Sequence, residues 1–186
     1  MLVYLHGFNS SPGSHKAQVL KSYLEGTGLG ARYACPVLPD TPEEAVRAIQ
    51  KAIDGQDLRK VTFIGSSLGG YYATWFVEKW GGRAVLINPA ITPHAGLAAY
   101  LGPQKNLHTG APYELTRAHL EGWRALLVER VDPEKYLLLL ETGDEVLDWR
   151  EAAKKYEGAR MVIRQGGDHS LQCFPEMLPR ILAFAA

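Results

Sequence analysis

Apolar positions along the chain fall into short unbroken runs, not alternating ones. The runs at Leu2–Leu5, Arg32–Pro36, Lys60–Ile64, Arg83–Ile87, Tyr136–Glu141 and Arg160–Arg164 have strand length. Lacking a period of two, they read as strands covered on both faces in a parallel sheet. Helical spacing fills the gaps. Ala17, Leu20, Tyr23 and Leu24 share a helix face that Gly26 and Gly28 stop. Thr41 predicts an N-cap, with Pro42 at the first helical position and Glu44 completing a capping box. Ala45, Val46, Ile49, Ala52 and Ile53 supply the apolar stripe behind it, and Gly55 ends it. Asp148 and Glu151 repeat the capping spacing ahead of Ala152, Ala153 and Tyr156. The last stripe is Met177, Leu178, Ile181, Leu182 and Phe184, with Pro175 suited to the first turn and Pro179 placed to kink the helix.

Alternating strands and helices imply an α/β fold of about six mostly parallel strands, with helices on both faces and right-handed crossovers. One stretch breaks the alternation. From Asn88 to Asp132 no strand signal is evident, while Leu115, Leu120, Trp123, Leu126 and Leu127 form a helical stripe. So long an excursion exceeds an ordinary crossover. It predicts a helical cap, residues 91–131, over the carboxyl edge of the sheet; the competing reading is surface decoration.

The length of 186 residues fits one domain, 1–186. With 46% apolar and 22% charged residues, neither disorder nor a fibrous chain is expected. Twenty Lys and Arg balance twenty Asp and Glu, so the basic excess of a nucleic-acid-binding surface is missing. No apolar run approaches the ~20 residues of a membrane span. The N-terminus lacks a basic flank and its apolar stretch ends at His6-Gly7, so no leader and a cytoplasmic location are expected. Cys35 and Cys173, in unrelated contexts, do not form a disulfide framework.

Chemistry enters at Gly65-Ser66-Ser67-Leu68-Gly69, a G-x-S-x-G frame between an apolar strand and a helix containing Tyr72, Phe76 and Trp80. A nucleophilic serine must stand exposed on a tight strand-to-helix turn that tolerates only small neighbours, and the frame selects Ser67 over Ser66. Its hydroxyl needs a base, and the base an orienting carboxylate. Asp144 in Thr142-Gly143-Asp144-Glu145-Val146 and His169 in Gly166-Gly167-Asp168-His169-Ser170 follow successive strands, in the chain order serine, acid, histidine. Both fall at the sheet edge where ligands of open α/β sheets bind. Asp148, Glu145 and Asp168 compete for the acid's role, and Asp148 already suits an N-cap.

His6-Gly7-Phe8-Asn9-Ser10-Ser11-Pro12-Gly13 follows the first strand at the same edge and predicts an oxyanion hole. The donors would be the backbone N–H groups of Phe8 and Leu68. Asn9 and Ser10 are candidates to reach substrate there, and Trp123 is a candidate from the cap. His6 reads as a buried residue shaping this loop. The loop lacks the Gly-Lys-Ser/Thr ending of a phosphate loop, and no dinucleotide fingerprint follows a strand. The six histidines occur at no zinc spacing, so no metal and no cofactor are expected.

His6-Gly7-Phe8-Asn9-Ser10-Ser11-Pro12, Gly65-Ser66-Ser67-Leu68-Gly69-Gly70, Asn88-Pro89-Ala90, Gly143-Asp144-Glu145-Val146-Leu147-Asp148 and Gly166-Gly167-Asp168-His169, in this order and spacing, resemble the YqiA-type bacterial esterases over essentially the whole chain. The resemblance implies a reduced α/β-hydrolase fold, a cytosolic esterase acting on small-molecule esters or acyl thioesters, and triad roles for Ser67, Asp144 and His169. It carries no matched motif in 91–131, and it does not fix the oligomeric state. The same triad would serve a peptidase or amidase, and the same fold without catalysis a binding protein.

Overall fold

Six strands, all parallel, form the central sheet of the computed structural model, which describes residues 1–186. In chain order they are β1 (Leu2–Leu5), β2 (Tyr33–Ala34), β3 (Thr62–Ser66), β4 (Arg83–Ile87), β7 (Tyr136–Glu141) and β8 (Arg160–Arg164). The spatial order is β2-β1-β3-β4-β7-β8. A separate antiparallel pair, β5 (Gly102–Lys105) and β6 (Pro112–Leu115), lies in the long excursion. The helices are α1 (His15–Gly26), α2 (Pro42–Ala52), α3 (Leu68–Trp80), α4 (Pro93–Gly96), α5 (Arg117–Ala125), α6 (Trp149–Lys155) and α7 (Phe174–Ala185).

The unbroken apolar runs are explained by the two faces they serve. Side chains alternate across a strand. Val3, Leu5, Phe63, Leu86, Leu138 and Leu140 therefore face one buried cluster, shared with α2, α3, α5 and α6. Leu2, Tyr4, Ile64, Val85, Ile87 and Leu139 face the other, shared with α1 and α7. Each such side chain contributes roughly 1.5–3 kcal/mol on burial. None of the helices is long and apolar enough to cross a membrane.

Four expectations need correction. The strand expected at Arg32–Pro36 shrinks to Tyr33–Ala34, because a 3₁₀ turn takes Gly30–Arg32 and only β1 pairs with this half-buried edge. The strand expected at Lys60–Ile64 runs instead from Thr62 to Ser66. Leu58–Lys60 forms a 3₁₀ turn capped by the Asp57 side chain, and pairing with β1 and β4 carries the strand up to the turn at Ser67. Thr41 does cap α2 by position, but its hydroxyl donates to Glu44 Oε2 at 2.8 Å instead of closing a capping box with the backbone. A capping box forms at α5, where Thr116 pairs with His119.

The fourth concerns the excursion, which is not purely helical. Leu115 ends β6, and only Leu120 and Trp123 of the expected stripe lie within α5. The β5–β6 pair went unpredicted because it rests one face on the protein, so its four-residue strands are largely polar and carry Gly102, Pro103 and Pro112. Pro175 lies in the first turn of α7, and Pro179 sits inside that helix without ending it.

Candidate active site

Parallel pairing delivers the carboxyl ends of β1, β3, β7 and β8 to one edge of the sheet. Ser67, in the turn after β3, adopts φ 54° and ψ −120°, a strained conformation for a residue with a Cβ. Crossed backbone bonds hold it there: Ser67 N donates to Ile87 O at 3.0 Å, and Ala90 N donates to Ser67 O at 3.1 Å. The two flanking glycines are required by close approach. A Cβ on Gly65 would run into the Gly69 carbonyl, and one on Gly69 into the Leu5 carbonyl.

The loop after β1 lies against this turn. A Cβ placed on Gly7 would stand 3.2 Å from Ser67 Cβ and 3.8 Å from its Oγ. Phe8 N–H and Leu68 N–H, the latter the first of α3, donate to no intramolecular acceptor. Both therefore remain available to an anion beside Ser67. The loop's own anchor is His6, which is 3% exposed. Leu38 N–H donates to its Nε2 at 3.2 Å, so the proton sits on Nδ1, 3.1 Å from Gly7 O.

Burial holds the His6 imidazole below its ordinary value, with His108 adding to the effect against the Gly7 hydrogen bond. An unfolded chain takes up this proton near pH 6.5, whereas the folded one resists it. The associated stability is thus present above about pH 6.5 and is lost as pH falls through the folded-state value. Urea titrations at pH 7 and pH 5 are expected to show a smaller pH-dependent loss for His6→Gln than for wild type. Equal losses would remove His6 from the account.

The loops that carry Asp144 and His169 follow β7 and β8. Asp144 Oδ2 lies 2.8 Å from His169 Nδ1, while Asp144 Oδ1 accepts from Val146 N–H at 2.8 Å and Leu147 N–H at 2.9 Å. The Asp144 side chain is 1% exposed and that of His169 is 22% exposed. Burial pushes the Asp144 carboxyl up, but the hydrogen bonds from His169, Leu147 and Val146 outweigh it and hold the group below the usual carboxylate range. An ionised carboxylate only accepts, so it fixes the proton of a neutral His169 on Nδ1 and leaves Nε2 as an acceptor. The remaining link, from His169 Nε2 to Ser67 Oγ, is not closed by a hydrogen bond in this structure; such contacts commonly tighten only with substrate.

The competing carboxylates have other partners. Asp148 caps α6 through Arg150 N–H at 3.0 Å. Asp168 Oδ1 accepts from Ser170 N–H at 2.9 Å, and Glu145 Oε2 accepts from the His169 backbone N–H at 3.0 Å. Asn9 spends its side chain on the β5–β6 pair, accepting from Tyr113 OH at 2.7 Å and donating to Gln104 Oε1 at 3.4 Å. Asn9, Ser10 and Trp123 all border a cavity of about 20 Å³ beside the loop after β1, lined also by Tyr72, Tyr113 and Asp40. That is room for about one water molecule. Trp123 itself is 1% exposed.

Two buried residues that sequence reasoning left without a role support the histidine loop. Asn88, directly after β4 at φ 40°, donates Nδ2 to both Asp168 O and His169 O at 3.2 Å, and accepts Glu141 N–H on Oδ1 at 3.1 Å. Glu141, the last residue of β7, accepts Asp168 N–H at 2.8 Å. Its carboxylate occupies the space that a Cβ on Gly167 would need. A carboxylate closing the apolar run Leu137–Leu140 was the available signal, since a charge buried there must find partners in the protein.

The fold is shared with solved structures of low sequence identity. The mouse alpha/beta hydrolase domain-containing protein 10 superposes with a TM-score of 0.70 at 14% identity, covering 98% of this chain and 87% of its own. An esterase domain from a Rhodothermus marinus protein superposes with a TM-score of 0.69 at 20% identity, covering 99% and 85%. A UPF0227 protein of Yersinia pseudotuberculosis (serotype O:1b, strain IP 31758) is 25% identical over 187 aligned residues, 99% of this chain and 98% of that one. The fold is therefore the reduced α/β-hydrolase fold, and the chain, matched over residues 1–186 by the model of the uncharacterised protein family UPF0227, belongs to that family, the YqiA family.

Proposed function

We propose that the protein is a serine hydrolase that cleaves carboxylic esters or acyl thioesters through an acyl-enzyme. The observation that carries this reading is the convergence, at one sheet edge, of a strained and accessible Ser67, two unpartnered N–H groups and a histidine whose far nitrogen is held by a buried carboxylate. Esterase and lipase names among proteins of the same fold, such as the Rhodothermus esterase domain and a Paleococcus ferrophilus monoacylglycerol lipase, support the reaction class.

In this reading His169 Nε2 takes the Ser67 proton as Oγ attacks the acyl carbon. Asp144 stabilises the imidazolium that results, without itself becoming protonated. The carbonyl oxygen becomes an oxyanion facing Phe8 N–H and Leu68 N–H. His169 returns the proton to the departing alcohol or thiol, then activates a water that releases the acid and regenerates Ser67. No step calls on a metal or an organic cofactor, and the substrate is a small molecule met from the cytosol.

A fluorophosphonate probe is expected to label Ser67 alone, with the adduct mapped by mass spectrometry. Ser67→Ala, checked for folding, should then lose hydrolysis of an acetyl-to-octanoyl panel of esters and thioesters. Labelling of Ser66, or full activity in Ser67→Ala, would overturn the assignment. Matched amides serve as the contrast: faster amide than ester cleavage would move the protein to the amidases.

A further inference from the structure

We propose that the β5–β6 pair is a clamp on the oxyanion loop and that Tyr113 is a positioning residue for the Phe8 N–H; this deepens the serine-hydrolase reading and rests on it. The loop departs from β1 through Asn9, whose φ of 53° lies in the left-handed region. Asparagine tolerates that region better than most residues, but the conformation still has to be held. Four hydrogen bonds hold it, all from one element. Leu107 N–H donates to Asn9 O at 2.9 Å, and Asn106 Nδ2 donates to Ser10 O at 2.9 Å. Tyr113 OH donates to Asn9 Oδ1 at 2.7 Å, and Gln104 accepts from Asn9 Nδ2 at 3.4 Å. Between β5 and β6 the turn is itself preset, because Asn106 Oδ1 accepts the N–H groups of His108 and Thr109 at 3.0 and 2.9 Å. Asn106 Nδ2 is thereby aimed at Ser10 before substrate arrives.

The consequence falls on one peptide plane. Phe8 N–H belongs to the Gly7–Phe8 peptide, whose carbonyl is bonded by His6 Nδ1 at 3.1 Å. In a trans peptide the N–H points opposite the C=O, so His6 fixes one side of the plane. The clamp on Asn9 and Ser10 fixes the other. The Phe8 ring adds edge-on packing against Tyr113 and Trp123, with centroids at 6.5 and 6.4 Å. A donor aimed at a developing oxyanion works only within a narrow geometry, and a displacement of about 1 Å can cost on the order of a hundredfold in rate. The excursion thus acts on catalysis through the loop it grips, without touching substrate.

The test compares Tyr113→Phe, which keeps the ring against Phe8 and removes one hydroxyl, with Asn106→Ala and with wild type. Each is measured for kcat and KM on one ester, for Tm, and for inhibition by a trifluoromethyl ketone, whose serine adduct carries the oxyanion. The corresponding non-fluorinated ketone reports ground-state binding. Both variants are expected to lose about ten- to a hundredfold in kcat with KM within about twofold. The trifluoromethyl ketone should weaken in proportion, and the plain ketone should not. Unchanged kcat, or a loss that follows Tm while trifluoromethyl ketone affinity holds, would overturn the clamp. Should Ser67→Ala keep its activity, the serine mechanism fails and the clamp with it. An inactive Ser67→Ala beside a fully active Tyr113→Phe overturns the clamp alone.

Discussion

Asp144→Asn is expected to leave a folded protein whose kcat for esters is lower by about three to four orders of magnitude. The asparagine oxygen can still accept the Val146 and Leu147 N–H groups that Asp144 Oδ1 accepts now. Its amide nitrogen then faces His169 Nδ1, where the carboxylate oxygen stands at 2.8 Å. That nitrogen is a donor, so Nδ1 must become the acceptor and the imidazole proton must move to Nε2. A protonated Nε2 cannot take the Ser67 proton. Asp148→Asn provides the contrast: Asp148 accepts from Arg150 N–H at the start of α6, and asparagine caps helices equally well. Its activity should stay near wild type. Measuring kcat/KM and Tm for both variants decides the matter, and the reverse ranking would move the acid to Asp148.

The parts of this site that were legible in the sequence are those whose chemistry demands particular neighbours in the chain. Ser67 needs Gly65 and Gly69 within two residues because backbone passes where their Cβ atoms would be. The meeting of His169 with Asp144 at 2.8 Å was foreseeable because each follows a strand at the shared edge, a property of chain order alone. Asn88 and Glu141 escaped because their partners lie far along the chain: Asn88 acts on Asp168 and His169, and Glu141 on Asp168. Nothing local marks an asparagine as the brace of a distant loop.

The same distinction runs through the fold. Strands β1, β4 and β7 were readable to the residue because both their faces are buried, whereas β8, an edge strand without a buried residue, was readable because Arg160 and Arg164 bound its apolar run. Burial on two sides leaves an apolar run with sharp ends. The edge strand β2 and the outlying β5 and β6 meet protein on fewer sides, and their half-exposed positions admit the polar residues, prolines and glycine that hid them. The start of β3 was misplaced by two residues for another reason. Its limits are set by pairing with β1 and β4, which no property of Lys60 or Val61 announces.

Trp123→Ala is expected to lower stability by about 3–5 kcal/mol, the range for removing a large aromatic from a core. Part of that loss is the cavity. Trp123 is 1% exposed and packs in the cluster that holds Phe63, Tyr72 and Leu115. Part is polar, because the indole N–H donates to Tyr72 OH at 2.8 Å and leaves that buried hydroxyl without its donor when removed. At roughly 2–4 °C per kcal/mol for a chain of this size, Tm should fall by about 6–20 °C. Trp123→Phe, which retains most of the volume and loses only the N–H, should cost less. The stripe of Leu115, Leu120, Trp123, Leu126 and Leu127 predicts a cap whose apolar face turns toward the carboxyl edge of the sheet. With Leu115 and Trp123 both 1% exposed, that face packs inward, and only the edge of Trp123 reaches the small cavity beside Phe8. The expected signature is therefore a loss of kcat/KM that is uniform across acetyl, butyryl and octanoyl esters. A chain-length preference that shifts while Tm stays put would instead make Trp123 a contact of the acyl group.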